Sequence, residues 1–141
     1  LTYWGFDTDA VVKLLTAYAL TLPIGWDREQ EGHAVGIRTF PLVAVASCGY
    51  LLAVVNPADP AATSRVVQGM TAGIGFVGAG AIVREGATVH GTATAASIWI
   101  TAAIGSAVAL GHWRTGFMMA VVTLFTLRAL VPIKARLDKR Q

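Results

Sequence analysis

Between residues 69 and 106 the chain is made largely of glycine, alanine, serine and threonine, and that stretch limits the folds open to it. Gly69, Gly73, Gly75, Gly78 and Gly80 fall within twelve residues, and Gly91-Thr92-Ala93-Thr94-Ala95-Ala96-Ser97 follows. In water each glycine weakens a helix by up to about 1 kcal/mol relative to alanine. In a bilayer the backbone has no water to bond to, so the helix persists, and small side chains let neighbouring helices approach closely. The stretch therefore predicts the packed centre of a polytopic membrane protein, with Gly69, Gly73, Gly75, Gly78, Gly80, Trp99 and Gly105 as the packing residues.

Composition points the same way. Hydrophobic residues make up 55% of the chain and charged ones 13%, with a mean hydropathy of +0.60, whereas soluble domains carry about 25% charge. A lone cysteine, Cys48, excludes an intrachain disulfide and a cysteine metal cage, and reads as a small buried hydrophobe. The chain opens on Leu1 rather than Met, as a trimmed or processed chain does, and shows no intact signal peptide.

A span needs about 20 apolar residues. Five stretches suit, at roughly 10–26, 38–55, 66–83, 92–110 and 113–131, so the expected fold is all-α with five transmembrane helices in a single domain over 1–141. Polar segments separate them: Asp27 to Gly36, Asn56-Pro57-Ala58-Asp59-Pro60, Arg84-Glu85-Gly86, and Gly111-His112. With the N-terminus outside and the C-terminus cytoplasmic, Arg28, Arg38, Arg84, Arg128, Lys134, Arg136, Lys139 and Arg140 face the cytoplasm against Lys13, Arg65 and Arg114 outside. Eight against three satisfies the positive-inside rule. Tyr3, Trp4, Phe6 and Trp113 then suit an outer aromatic belt. The third and fourth spans form the expected inner pair, while the bulky fifth faces lipid or a second subunit, and a homodimer through that surface is expected.

This topology gathers Asp27, Arg28, Glu29, Glu31, His33, Arg38, Thr39, Arg84, Glu85, His90, Thr92 and Thr94 on one face. Arg38 stands at a helix N-terminus, where the dipole disfavours a cation by about 0.3–1 kcal/mol, so an anionic partner is expected, first Asp27 or Glu29; the alternative is snorkelling to lipid head groups. Asp27, Glu29 and Glu31 are candidate magnesium ligands, since magnesium takes carboxylate oxygens and keeps several waters; the plainer alternative is a solvated loop paired internally with Arg28 and Arg38. No nucleophile elbow or phosphate-binding Gly-Lys-Ser/Thr ending is present, and Gly73-Ile74-Gly75-Phe76-Val77-Gly78 lacks the strand–turn–helix context of a dinucleotide site. Neither an enzyme nor a nucleic-acid binder is expected.

Three runs together resemble a known family. Gly25-Trp26-Asp27-Arg28-Glu29 with Gly36-Ile37-Arg38-Thr39, then Gly73 to Ile82, then Thr92 to Trp99 with Ala103-Ile104-Gly105 and Gly111, resemble the three signatures of the MgtC/SapB family of bacterial inner-membrane proteins. They occur in family order across most of residues 25–111. Asp27 stands where a glutamate is usual, and Val35 where an alanine is usual. Many relatives carry a soluble cytoplasmic C-terminal domain, whereas this sequence stops about ten residues after its last span. The resemblance implies a membrane regulator or adaptor tied to magnesium limitation, stress and virulence, acting on other membrane proteins such as the F-type ATP synthase. A small oligomeric transporter or channel for magnesium or another cation is the alternative. No acidic residue is predicted at mid-bilayer, where ion pathways commonly place one, and this favours the regulator.

Overall fold

The computed structural model describes residues 7–32, 35–54 and 59–132. Tyr3, Trp4, Phe6, His33, Lys134, Arg136, Lys139 and Arg140, named above, lie outside them. Five helices follow in order: α1 (Thr8–Gln30), α2 (Thr39–Val54), α3 (Pro60–Gly80), α4 (Thr92–Ala109) and α5 (Trp113–Ala129). Each coincides with one of the five apolar stretches. By length and composition only α4 is apolar enough to cross a membrane among the described residues; α2 is apolar but, at 16 residues, shorter.

Local chemistry sets the helix ends. The Asp7 carboxylate accepts from the Asp9 and Ala10 amides at 3.1 and 3.4 Å, capping α1. Asp59 does the same for α3, accepting from the Ala62 amide at 3.0 Å. Pro60, the first residue of α3, sits where its missing N–H costs nothing, so α3 starts six residues earlier than the apolar stretch suggests. Between α3 and α4 the expected loop is a two-stranded antiparallel hairpin, β1 (Val83–Glu85) and β2 (Thr88–His90), with Glu85 opposite Thr88 and Val83 opposite His90. Gly86, at φ +61°, makes its turn.

The centre of the bundle is not where the glycine run places it. Among the residues of α3 only Gly78 is buried. A Cβ added at Gly69, Gly73, Gly75 or Gly80 would meet nothing within 4 Å. These glycines have open space beside them and no side chain to bury, so α3 lies at the edge of the fold. Trp99, expected to fill space in the core, is 56% exposed. The inner helices are α1, α2 and α4. Ala17, Ala44, Cys48, Leu51 and Val108 form one buried cluster, and Ile24, Phe40, Ile98, Ile104, Ala120 and Leu127 form another. α2 and α4 meet backbone to backbone at Gly105 of α4, where an added Cβ would collide with the Ala44 carbonyl of α2. Of the expected packing glycines, Gly105 therefore holds two helices together, and Gly78 makes ordinary contact with Ala95.

Candidate functional site

The polar residues converge at one end of the bundle, where α1, α3 and α5 finish and α2 and α4 begin. Three contacts join those ends: Glu29 reaches the start of α2, Gly78 lies against Ala95 at the start of α4, and Asp27 reaches Arg128 near the end of α5.

Asp27 is the hub. It is 6% exposed. Its Oδ2 accepts from Arg28 Nη2 at 2.6 Å and its Oδ1 from Arg128 Nε at 2.8 Å. Arg28, 3% exposed, also holds Glu31 at 3.0 Å. Asp27 lies past the 10–26 stretch. Burial pushes its carboxyl up, but the hydrogen bonds from Arg128 and Arg28, with their charges, outweigh burial and leave it below the usual carboxylate range. Arg128, which the sequence suggests only as a charge on the cytoplasmic side, belongs to the site. Its signal is faint: it is the single charge between residues 115 and 133.

Glu29 has a different task. Its Oε2 accepts from the Ile37 amide at 3.1 Å, ahead of α2. Two glycines make this return possible. A Cβ at Gly25 would lie 2.9 Å from the Ile37 Cα, and one at Gly36 would collide with the Glu29 carboxylate. The run Gly25-Trp26-Asp27-Arg28-Glu29 and the run Gly36-Ile37-Arg38-Thr39 are thus two halves of one tight backbone crossing.

Two expectations change. Neither Asp27 nor Glu29 pairs with Arg38, because two guanidinium groups occupy the first and an amide the second. Arg38 is exposed and forms no ion pair among the described residues. Asp27, Glu29 and Glu31 do not make a shared metal site: Asp27 and Glu31 both turn to Arg28, while Glu29 turns to α2. Among the described residues no three His, Cys, Asp or Glu side chains lie together as a metal-binding group. Thr39 opens α2, its amide bonded to the Gly36 carbonyl at 3.0 Å.

Glu85, Thr92 and Thr94 lie on the far side of the same end. Thr92 is exposed, whereas Thr94, 2% exposed, lines a pocket of about 260 Å³ with Glu85, His90, Gly91 and Val35. Val35, in the segment between α1 and α2, joins this pocket to the Gly25–Gly36 crossing.

Residues 14–136 match the MgtC family. The chain belongs to that family. It is 37% identical over 129 residues to protein SrpB of Synechococcus elongatus, covering 82% of this chain and 71% of that protein. It is 32% identical over 139 residues to protein MgtC of Salmonella paratyphi A, covering 92% of this chain and 60% of that protein. Against the putative magnesium transporter YhiD of Escherichia coli, identity is 31% over 135 residues, with coverages of 90% and 63%. The chain thus spans between three-fifths and seven-tenths of these relatives' lengths. No solved structure matches it.

Proposed function

We propose that this MgtC-family chain is a multi-pass protein of the bacterial inner membrane, N-terminus outside, that acts as a regulator or adaptor under magnesium limitation and stress. Its working surface is the polar end around Asp27, Arg28, Glu29, Arg38, Thr39, Glu85, Thr92 and Thr94, and its partners are other membrane proteins, the F-type ATP synthase among the candidates. Support for membrane embedding comes from the outer surface: Leu15, Leu42, Tyr50, Phe76, Phe117, Met118 and Phe125 are each more than half exposed. Water-soluble monomers rarely tolerate so much uncovered apolar surface.

The observation that favours an adaptor over a transporter is the chemistry of the bundle interior. Thr21, Ser97, Thr101 and Thr123 donate to the carbonyls of Ala17, Ala93, Ser97 and Met119 at 2.7–2.9 Å, each on its own helix. Among the described residues the buried charges are Asp27 and Arg28, both at one end. An ion crossing the middle of the bundle would meet no buried charge and no charged relay among the described residues. The name of the Escherichia coli relative favours the other reading, a small oligomeric magnesium transporter. A flux assay separates the two. The purified chain in proteoliposomes is expected to take up magnesium no faster than empty vesicles; uptake lost on Arg38→Ala, an exposed position, would overturn the adaptor reading.

A further inference from the structure

The pocket between the β1–β2 hairpin and the start of α4 has features that the ion-paired hub beside it does not use. Thr94 is buried in its wall, and its hydroxyl finds no hydrogen-bond partner among the described residues. Buried polar groups are nearly always paired, so such a hydroxyl marks a place where a partner is expected from outside the chain. The same wall carries the N-terminus of α4. Gly91 precedes it at φ +82° and offers no side-chain cap, and the first intrahelical bond runs from the Ala95 amide to the Gly91 carbonyl at 2.9 Å. Of the first residues of α4, Thr94 lines the pocket, and its amide lies in the first turn, at the positive end of an 18-residue helix. Gly91 is required here, because a Cβ would strike the Ala81 carbonyl and close the approach.

These donors call for an anionic oxygen. The opposite side of the pocket calls for the reverse charge. Glu85 lines it and forms no ion pair among the described residues, while its neighbour Arg84 turns away to donate to the Gly86 carbonyl at 3.1 Å. A simple anion would be repelled by the Glu85 carboxylate, and a simple cation by the helix end. A group carrying both charges a few bonds apart satisfies both walls. At about 260 Å³ the pocket is smaller than the roughly 300 Å³ at which drug-sized sites begin, which suits a head group of a few heavy atoms.

We propose that this pocket binds a phosphoethanolamine group, with a phosphate oxygen on the Thr94 hydroxyl and amide and the ammonium on Glu85. His90 also lines the pocket. The group could be supplied by a phospholipid or by a free head group; the lipid source rests on the membrane reading above, and the free one does not.

The test measures retention of phosphatidylethanolamine and phosphatidylglycerol by native mass spectrometry of the detergent-purified chain, alongside thermal shifts with free phosphoethanolamine. Phosphatidylethanolamine is expected to be retained at least five-fold over phosphatidylglycerol. Thr94→Val should cut that retention at least five-fold without lowering the melting temperature of the lipid-free protein, because it removes an unpartnered hydroxyl and keeps the shape. Glu85→Gln should abolish the preference between the two lipids. A thermal shift with the free head group assigns the source to a soluble ligand; a response to the diacyl lipid alone assigns it to the membrane. Equal retention of both lipids, indifference to Thr94→Val, or no response to either source would overturn the proposal.

Discussion

Asp27→Ala is expected to destabilise the protein by about 3–5 kcal/mol, the range for removing one partner of a buried ion pair. The reason is what remains. Arg28 is 3% exposed, and among the described residues its guanidinium would keep Glu31 alone, whose side chain is 38% exposed. Arg128→Gln removes a guanidinium that is 64% exposed and should cost no more than about 1 kcal/mol. Unfolding titrations in mixed micelles would measure both. The pH dependence follows from the lowered Asp27 carboxyl. Its stabilisation is fully present above the unfolded carboxylate value of about 3.9 and is lost as pH falls through the lower folded value. The gap between wild type and Asp27→Ala should therefore stay constant down to about pH 5 and close progressively below about pH 4. Equal stabilities of wild type and Asp27→Ala at pH 7 would show that Asp27 does not compensate a buried Arg28.

Gly105→Val is the second large effect. The Cβ alone collides with the Ala44 carbonyl, and backbone cannot swing aside as a side chain can. Overpacking a core typically costs about 1–3 kcal/mol, and this substitution belongs at or above the top of that range. Gly73→Leu should leave the monomer's stability within about 0.5 kcal/mol, as for surface positions, since nothing lies within 4 Å of the added Cβ. Thermal melts in detergent would compare the two. If Gly73→Leu proved the more damaging, the glycine run would be packed against a neighbour after all.

That contrast also shows how much of the fold can be read from residues. Five helices follow from apolar stretches broken by the polar run Asp27 to Gly36 and by Asp59-Pro60, Gly86 and Gly111, and their boundaries fall within a few residues except at α3. The convergence of Asp27, Glu29, Glu85 and Thr94 at one end follows from alternating helix direction. Which helices lie inside does not follow. A glycine facing open space and one pressed on a carbonyl look alike in sequence; Gly73 and Gly105 differ only in what stands opposite. Trp99 misleads for the same reason, since a large apolar residue suits a core and a membrane surface equally.

The candidate site divides in the same way. Asp27, Arg28 and Glu29 stand out by charge in an apolar chain, but their partners do not. The Asp27–Arg128 contact joins residues 101 positions apart, and no spacing rule reaches that far. Glu29 reads as a free carboxylate until the backbone at Gly25 and Gly36 is seen to bring the Ile37 amide to it. Arg38 loses both expected partners for those two reasons. The β1–β2 hairpin hides because three-residue strands are too short to show a period of two.

The common orientation of the polar end is the claim that supports the proposed function, and accessibility labelling tests it most directly. With buried Cys48 replaced by serine, single cysteines at the exposed positions Gln30, Ala87 and Ser64 can be probed with an impermeant maleimide on intact cells and on inverted membrane vesicles. Gln30→Cys and Ala87→Cys are predicted to react only in inverted vesicles, and Ser64→Cys only in intact cells. Reaction of Gln30→Cys and Ala87→Cys from opposite faces would contradict the account.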